Sequence, residues 1–220
     1  MAEAILQADQ LASRVGPNAV IQLAGALRDR SGQHAAEDLF RHAGLQHFLI
    51  DPPGEMVDEA LAAKLFGCLF ADLPAATAAA IAAEAGTRTA DYILANRIPA
   101  LAQRILRALP PALAGPLLLT AIAKNAWTFA GSGRLRTESA RGKGGNDSHG
   151  PFWIIEIADN PLAMPGCVWH SAVFRRLFET LVRPAIAVRH PDCCHAGAPC
   201  CRFEIGVDAR TDEQPQRRLR

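Results

Sequence analysis

Apolar residues recur at helical spacing through most of the first 130 positions, and the breaks between the runs are marked by proline and glycine. Pro17 follows Gly16 and suits the first turn of a helix reaching about Asp29, with Val20, Leu23, Ala24 and Leu27 on one face. A shorter helix is predicted over 35–42 and stops at Gly44. The next, within "IDPPGEMVDEALAAKLFGCLFADLP", starts at a turn, places Glu55, Asp58 and Glu59 near the helix N-terminus where the dipole favours acids, and ends around Asp72. An alanine-rich helix follows at about 75–96; alanine has the best intrinsic propensity and lets neighbouring helices approach closely. Pro99, Pro110 and Pro111 then separate a short helix at 100–108 from a longer one at about 112–129.

The periodicity changes after 130. "RLRTE" reads as a short strand, "RGKGGNDSHG" as an exposed turn with His149 on the surface, and "FWIIEIA" as a buried strand rich in β-branched and aromatic residues. Residues 168–182 return to helical spacing, and "AIAVRH" and "CRFEIGV" are strands whose connection is too short for a parallel crossover, so they pair antiparallel. The expected fold is α+β: a helix-rich N-terminal half packed on a C-terminal antiparallel sheet. A single domain over 1–207 is expected, helical over about 16–130 and sheet-rich over about 131–207, with a flexible polar tail at 208–220.

Composition narrows the function classes. The 220 residues carry 23 Lys and Arg against 22 Asp and Glu, for a formal charge of +1, with no block long enough to track a phosphate backbone. Nucleic acid is thereby excluded as an expected partner. The N-terminus lacks the basic start and apolar run of a secretory signal, which points to the cytoplasm. Lys64, Asp72, Pro74, Pro116 and Lys124 interrupt the apolar stretches before about 20 uninterrupted residues accumulate, so no membrane span is expected, although attachment to a membrane surface is allowed. In a reducing compartment the six cysteines read as thiols, metal ligands or small buried residues, and Cys68, within an apolar helix, reads as core.

Four of those cysteines lie in "HPDCCHAGAPCCRF". Cys193 and Cys201 flank a turn of suitable width for a zinc site, with His190 as a further candidate, while Cys194, His195 and Cys200 offer surplus ligands. Adjacent side chains on an extended segment alternate faces, so both members of each cysteine pair do not easily point inward. The alternative is that Cys193 and Cys201 fill core positions at the ends of a hairpin loop relieved by Gly197. Cys167, at the start of a helix, is either a thiol activated by the helix dipole or a buried one.

The pattern C-x-x-x-G-x-x-x-C-R-F, here Cys193, Gly197, Cys201, Arg202 and Phe203, resembles the closing motif of the four-vinyl-reductase domain family. "GPFWIIEIADNP" and the helix "CVWHSAVFRRLFETLV" are similar too, and the resemblance is strongest over 130–207. Departures occur at Cys194, Cys200 and Ala198, where members often carry an acidic residue. The resemblance implies a ligand-binding fold shared with vesicle-tethering complex subunits, Cys167 buried against the sheet, and a role in bacteriochlorophyll biosynthesis.

Three activities follow as expectations from that resemblance. One is an accessory protein that binds a magnesium tetrapyrrole, a divinyl porphyrin or protochlorophyllide, and presents it to magnesium chelatase or another pathway enzyme. The second is an 8-vinyl reductase of divinyl protochlorophyllide, and the third a homodimeric scaffold without pigment. A reductase needs an electron source, yet no glycine-rich dinucleotide turn occurs, and C-C-x5-C-C is unlike the spacing that wraps an iron-sulfur cluster. A carrier needs an apolar cleft, an axial magnesium ligand and a cation near the rim. Trp127, Trp153 and Trp169 are the candidate ring contacts, with Phe129 beside them; His170 is the candidate axial ligand or proton donor, and Arg175 the candidate propionate partner, with Arg176 and Arg183 on the same helix. Magnesium enters only as part of the pigment. Each aromatic also suits a core position, and the arginines also suit solvent or a pair with Glu179.

Overall fold

Proline and glycine set most of the helix boundaries in the computed structural model, which describes residues 13–140 and 152–207. The polar turn with His149, the N-terminal start and the tail over 208–220 lie outside the described residues. Strand β1 (Arg14–Val15) leads into α1 (Asn18–Ser31) and α2 (Gln33–His42), separated by Gly32 at φ +87°. A single turn, α3 (His47–Ile50), and the short strand β2 (Val57–Asp58) come next, and β2 pairs antiparallel with β1. Neither two-residue strand has a period long enough to show in the sequence.

Asp58 decides where α4 (Glu59–Asp72) begins. Its carboxylate accepts the N–H of Ala60 at 2.8 Å, so it caps the helix from outside. Helix α5 (Ala75–Asn96) matches its expected span, and so does α6 (Ala100–Ala108). The helix expected over 112–129 is interrupted. It ends as α7 (Pro111–Lys124), where Asn125 takes φ −115° and ψ 30°, and resumes as the single turn α8 (Trp127–Ala130).

Strands β3 (Arg134–Ala140) and β4 (Phe152–Ala158), helix α9 (Val168–Leu181), and strands β5 (Ile186–Asp192) and β6 (Cys200–Val207) complete the fold. The sheet runs β3-β4-β6-β5, all antiparallel, so the chain crosses from β4 through α9 to the far edge before β6 fills the gap. Trp153, Ile155 and Ile157 of β4 and Cys201, Phe203 and Ile205 of β6 alternate onto one buried face. On the other face Glu156 stands opposite Arg202 and pairs with it, and Glu204 pairs with its cross-strand neighbour Arg189 at 2.9 Å.

Helix α9 covers the apolar face and is itself covered by α5. Phe174 meets Phe203 edge-on at 5.1 Å, and Phe178 meets Trp153 at 5.2 Å. Fully burying each such ring contributes about 1.5–3 kcal/mol. The second interface is closer: a Cβ on Gly86 of α5 would overlap the backbone carbonyl of Trp169. Gly115 of α7 is similarly excluded from bearing a side chain by the Trp153 indole. No described helix is long and apolar enough to cross a membrane.

His170 lies at the centre of this packing, wholly buried. Its Nε2–H donates to the Phe129 carbonyl at 3.0 Å and ties α9 to α8, while Nδ1 has no partner. Burial lowers its pKa to about 4, against the partial opposition of that hydrogen bond.

Two measurements follow from this packing. Gly86→Ala forces backbone to move and is expected to cost about 1–3 kcal/mol in urea unfolding. The unfolded chain protonates His170 below about pH 6.5, and the folded chain only near pH 4. The stability held by the neutral imidazole is therefore complete above pH 6.5 and is lost by about 3 kcal/mol as pH falls towards 4. The stability of His170→Leu relative to the parent should rise by that amount between pH 7 and 4; a constant difference would place the acid sensitivity elsewhere.

Candidate metal centre

The β5–β6 hairpin and the N-terminus of α9 meet at one point. His190 comes from β5, Cys193 from the loop, Cys201 from the buried face of β6, and Cys167 from the residue preceding α9. One ligand atom from each of the four lies within 4.8 Å of all the others. The Cys167 Sγ is 3.5 Å from that of Cys201 and 3.6 Å from that of Cys193. Thiolates on a tetrahedral ion with 2.3 Å bonds stand about 3.8 Å apart, so the thiols are close to the spacing an ion requires. All six cysteines are free thiols.

Local backbone explains the convergence. Gly166 and Cys167 both take left-handed conformations, at φ +66° and +42°, and the Cys167 N–H donates to Met164 O at 2.8 Å. A left-handed non-glycine residue is strained and needs its surroundings to hold it. In the hairpin, the carbonyl of Cys193 accepts from Ala196 and Ala198 as the chain turns through Gly197 at φ +89°. The turn brings the Cys194 N–H to 3.3 Å from the Cys201 Sγ.

The imidazole supplies the test of fit. His190 Nδ1–H donates to the Arg202 carbonyl at 2.9 Å, and the ring stacks on Phe203 at 4.5 Å and 12°. That hydrogen bond leaves the lone pair on Nε2, which is buried without a partner. A buried bare imidazole nitrogen beside three thiols is in the tautomer that a metal would require. Cys201 has its pKa lowered by the Cys167 thiol donating to it, assisted by the Cys194 N–H against burial. Cys167 is held protonated by the same contact and by burial. An arriving cation would take the place of that proton, so binding would release it.

One cysteine from each adjacent pair joins the cluster. Cys193 and Cys201 enter the cluster; Cys194 directs its thiol to the Ile157 carbonyl at 3.8 Å, and burial raises the pKa of both Cys194 and Cys200. Cys167 is the candidate ligand that spacing did not reveal, since it lies far from the hairpin in sequence. Its one local sign is the Pro-Gly-Cys turn ahead of a helix.

The aromatic and cationic candidates are dispersed. Trp153 and Trp169 are fully buried in the core, as is His170, and Arg175 is exposed on α9. Trp127 alone among the tryptophans is exposed, at 40%. It borders a cavity of about 310 Å³ between α5, α7 and α8, where Tyr92, Arg97, Ile122 and Asn125 also contribute. Leu177, late in α9, forms part of its floor.

The signature of the four-vinyl-reductase domain matches residues 153–207, a span that takes in β4, α9, the hairpin and all four candidate ligands. The "Bacteriochlorophyll synthase 23 kDa chain" of Cereibacter sphaeroides is 45% identical over 195 residues, covering 89% of this chain and 91% of that one. The protein of the same name from Rhodobacter capsulatus is 41% identical over 208 residues, covering 92% and 91%. Among solved structures, an H-NOX protein from S. oneidensis in the Fe(II)NO ligation state superposes with a TM-score of 0.51 at 10% identity, covering 88% of this chain and 99% of that one. That likeness is one of fold alone and accounts for helices packed against a C-terminal antiparallel sheet.

Reduced protein freed of metal by a chelator is expected to bind one cobalt(II) or zinc ion per chain. The cobalt form should show thiolate charge-transfer and tetrahedral ligand-field absorption. Cys167→Ser and Cys201→Ser should abolish those bands while Cys194→Ser and Cys200→Ser retain them; the reverse pattern would refute the assignment.

Proposed function

Because the chain belongs to the four-vinyl-reductase domain family and is closely related to the 23 kDa bacteriochlorophyll synthase chains of purple bacteria, we propose that it is an accessory tetrapyrrole-binding protein of bacteriochlorophyll biosynthesis. The extent of the relationship, over nine-tenths of each relative, is the observation that carries this reading. On it, the chain binds a magnesium divinyl porphyrin or protochlorophyllide and presents it to a pathway enzyme that acts after magnesium insertion.

The cysteine and histidine cluster serves structure in this reading. With Cys167, His190, Cys193 and Cys201 as ligands, zinc would have four protein donors and no open position, the arrangement of structural sites. Its chemistry is charge neutralisation and cross-linking of α9 to the hairpin. His170 does not suit a proton donor: its imidazole is neutral above about pH 4 and is closed from solvent. These features favour binding over turnover.

The Trp127 cavity offers the parts a carrier needs. Trp127 gives an exposed aromatic face, Arg97 a cation for a propionate, and Ile93, Ile98 and Ile122 an apolar wall. Asn125 donates through Nδ2 to the Ala121 carbonyl at 2.8 Å, which leaves Oδ1 without a protein partner among the described residues. Amide oxygen is a hard ligand of the kind magnesium accepts. At about 310 Å³ the cavity is at the small end for ligand pockets, so it would receive an edge of the macrocycle and leave the rest against the exposed indole.

Titration with magnesium divinyl protoporphyrin monomethyl ester, followed by Soret absorbance and tryptophan quenching, is expected to saturate at one pigment per chain. Trp127→Ala should weaken binding by about threefold to tenfold. Asn125→Ala should weaken the magnesium form more than the metal-free porphyrin. Absence of a saturable shift would remove the carrier reading, and reduction of the 8-vinyl group by the chain with an added electron donor would replace it with the reductase.

A further inference from the structure

Helix α7 is apolar on both sides. Ala114, Leu118, Leu119 and Ile122 face the core, while Leu113 and Leu117, one turn apart, are each more than half exposed. Helix α6 repeats the arrangement: Leu106 packs on the core, and Leu101 and Ile105 are 68% and 51% exposed. Trp127 follows at the end of the same region. A helix that is apolar all round is ordinarily covered on all sides, and among the described residues nothing covers this one.

Charge indicates what the cover is. From Tyr92 to Thr137 the sequence has six basic residues and no acid, although the whole chain is nearly balanced. Arg97, Arg104 and Lys124 are exposed and form no ion pair among the described residues. The side-chain donors between them are satisfied internally: the Thr120 hydroxyl donates to the Pro116 carbonyl at 2.9 Å and the Asn125 amide N–H to that of Ala121. Little hydrogen bonding is therefore lost when water leaves this face. A second copy docked about a two-fold axis would set these cations against their own kind, whereas an anionic surface would neutralise them.

We propose that the exposed faces of α6 and α7, with Trp127 at their end, dock in the interfacial layer of an anionic lipid bilayer. Leu101, Ile105, Leu113 and Leu117 enter the acyl boundary, and Arg97, Arg104 and Lys124 engage headgroup phosphates. The inference is independent of pigment binding, although Arg97 and Trp127 border both surfaces.

Co-sedimentation of the full chain with vesicles of phosphatidylcholine, alone or mixed with equal phosphatidylglycerol, tests it without any tetrapyrrole present. Binding should require the anionic lipid and fall at high salt. Arg104→Glu/Lys124→Glu and Leu113→Ser/Leu117→Ser should each reduce partitioning by about tenfold or more while leaving thermal unfolding and pigment titration intact. Emission from Trp127 should shift to the blue on binding, with Trp127→Phe removing the shift, since Trp153 and Trp169 are buried in either state. Absence of binding to mixed vesicles, equal binding to phosphatidylcholine alone, or indifference to both double variants would overturn the proposal. So would a lipid-independent dimer dispersed by Leu113→Ser/Leu117→Ser, which would assign the face to a second copy. Failure here with intact pigment binding, or the converse, separates this inference from the carrier reading.

Discussion

The meeting of Cys167 with the β5–β6 hairpin is the constraint on which the rest of the structure depends. Helix α9 packs against α5 on one side and the sheet on the other, so wherever its first turn is fixed, both interfaces follow. Three thiols and an imidazole fix that turn at a residue whose own backbone is left-handed. Beyond it, the contact of Gly86 with Trp169 and the aromatic series from Phe174 to Phe178 leave α9 little freedom to slide. Cores of this density pass a displacement on instead of absorbing it.

The same helix connects the centre to the cavity at Trp127. Leu177 lies ten residues beyond Cys167, about 15 Å along the axis, and helps line the cavity floor. Closer to the start, His170 holds the Phe129 carbonyl, two residues past Trp127. A metal held at one end of α9 would thus position the surface at which an aromatic ligand would rest without approaching it. This separation is consistent with a closed set of four protein ligands.

Legibility in the sequence followed the range of the interactions involved. Helices α5 and α6 were readable because proline and alanine act locally, and β4 and β6 because alternation is a property of the strand itself. The break at Asn125 was not, since the apolar period continues through it and only the tertiary position of Trp127 reveals the change. His190, Cys193 and Cys201 were visible as a cluster, but strand alternation did not sort the first cysteine pair, since Cys194 begins a tight turn and packs on the core beside Cys193. Cys167 needed knowledge of the crossover through α9, which no spacing rule contains. Burial of Trp153, Trp169 and His170 was equally a matter of which face met which, as apolar and aromatic residues serve core and pocket alike.

The hairpin has a consequence for the order in which the chain assembles. Three of the four ligands fall within residues 190–201, a loop cheap to close, whereas the fourth must be recruited from across the fold. If a cation occupies this site, it would be able to gather His190, Cys193 and Cys201 while the polypeptide is still largely open, and wait with a vacant position. Docking of α9 then becomes a ligand-exchange event in which Cys167 surrenders its proton and displaces water. The last step of folding and the completion of the coordination sphere would be one and the same, so the supply of metal would govern how fast this chain reaches its native form.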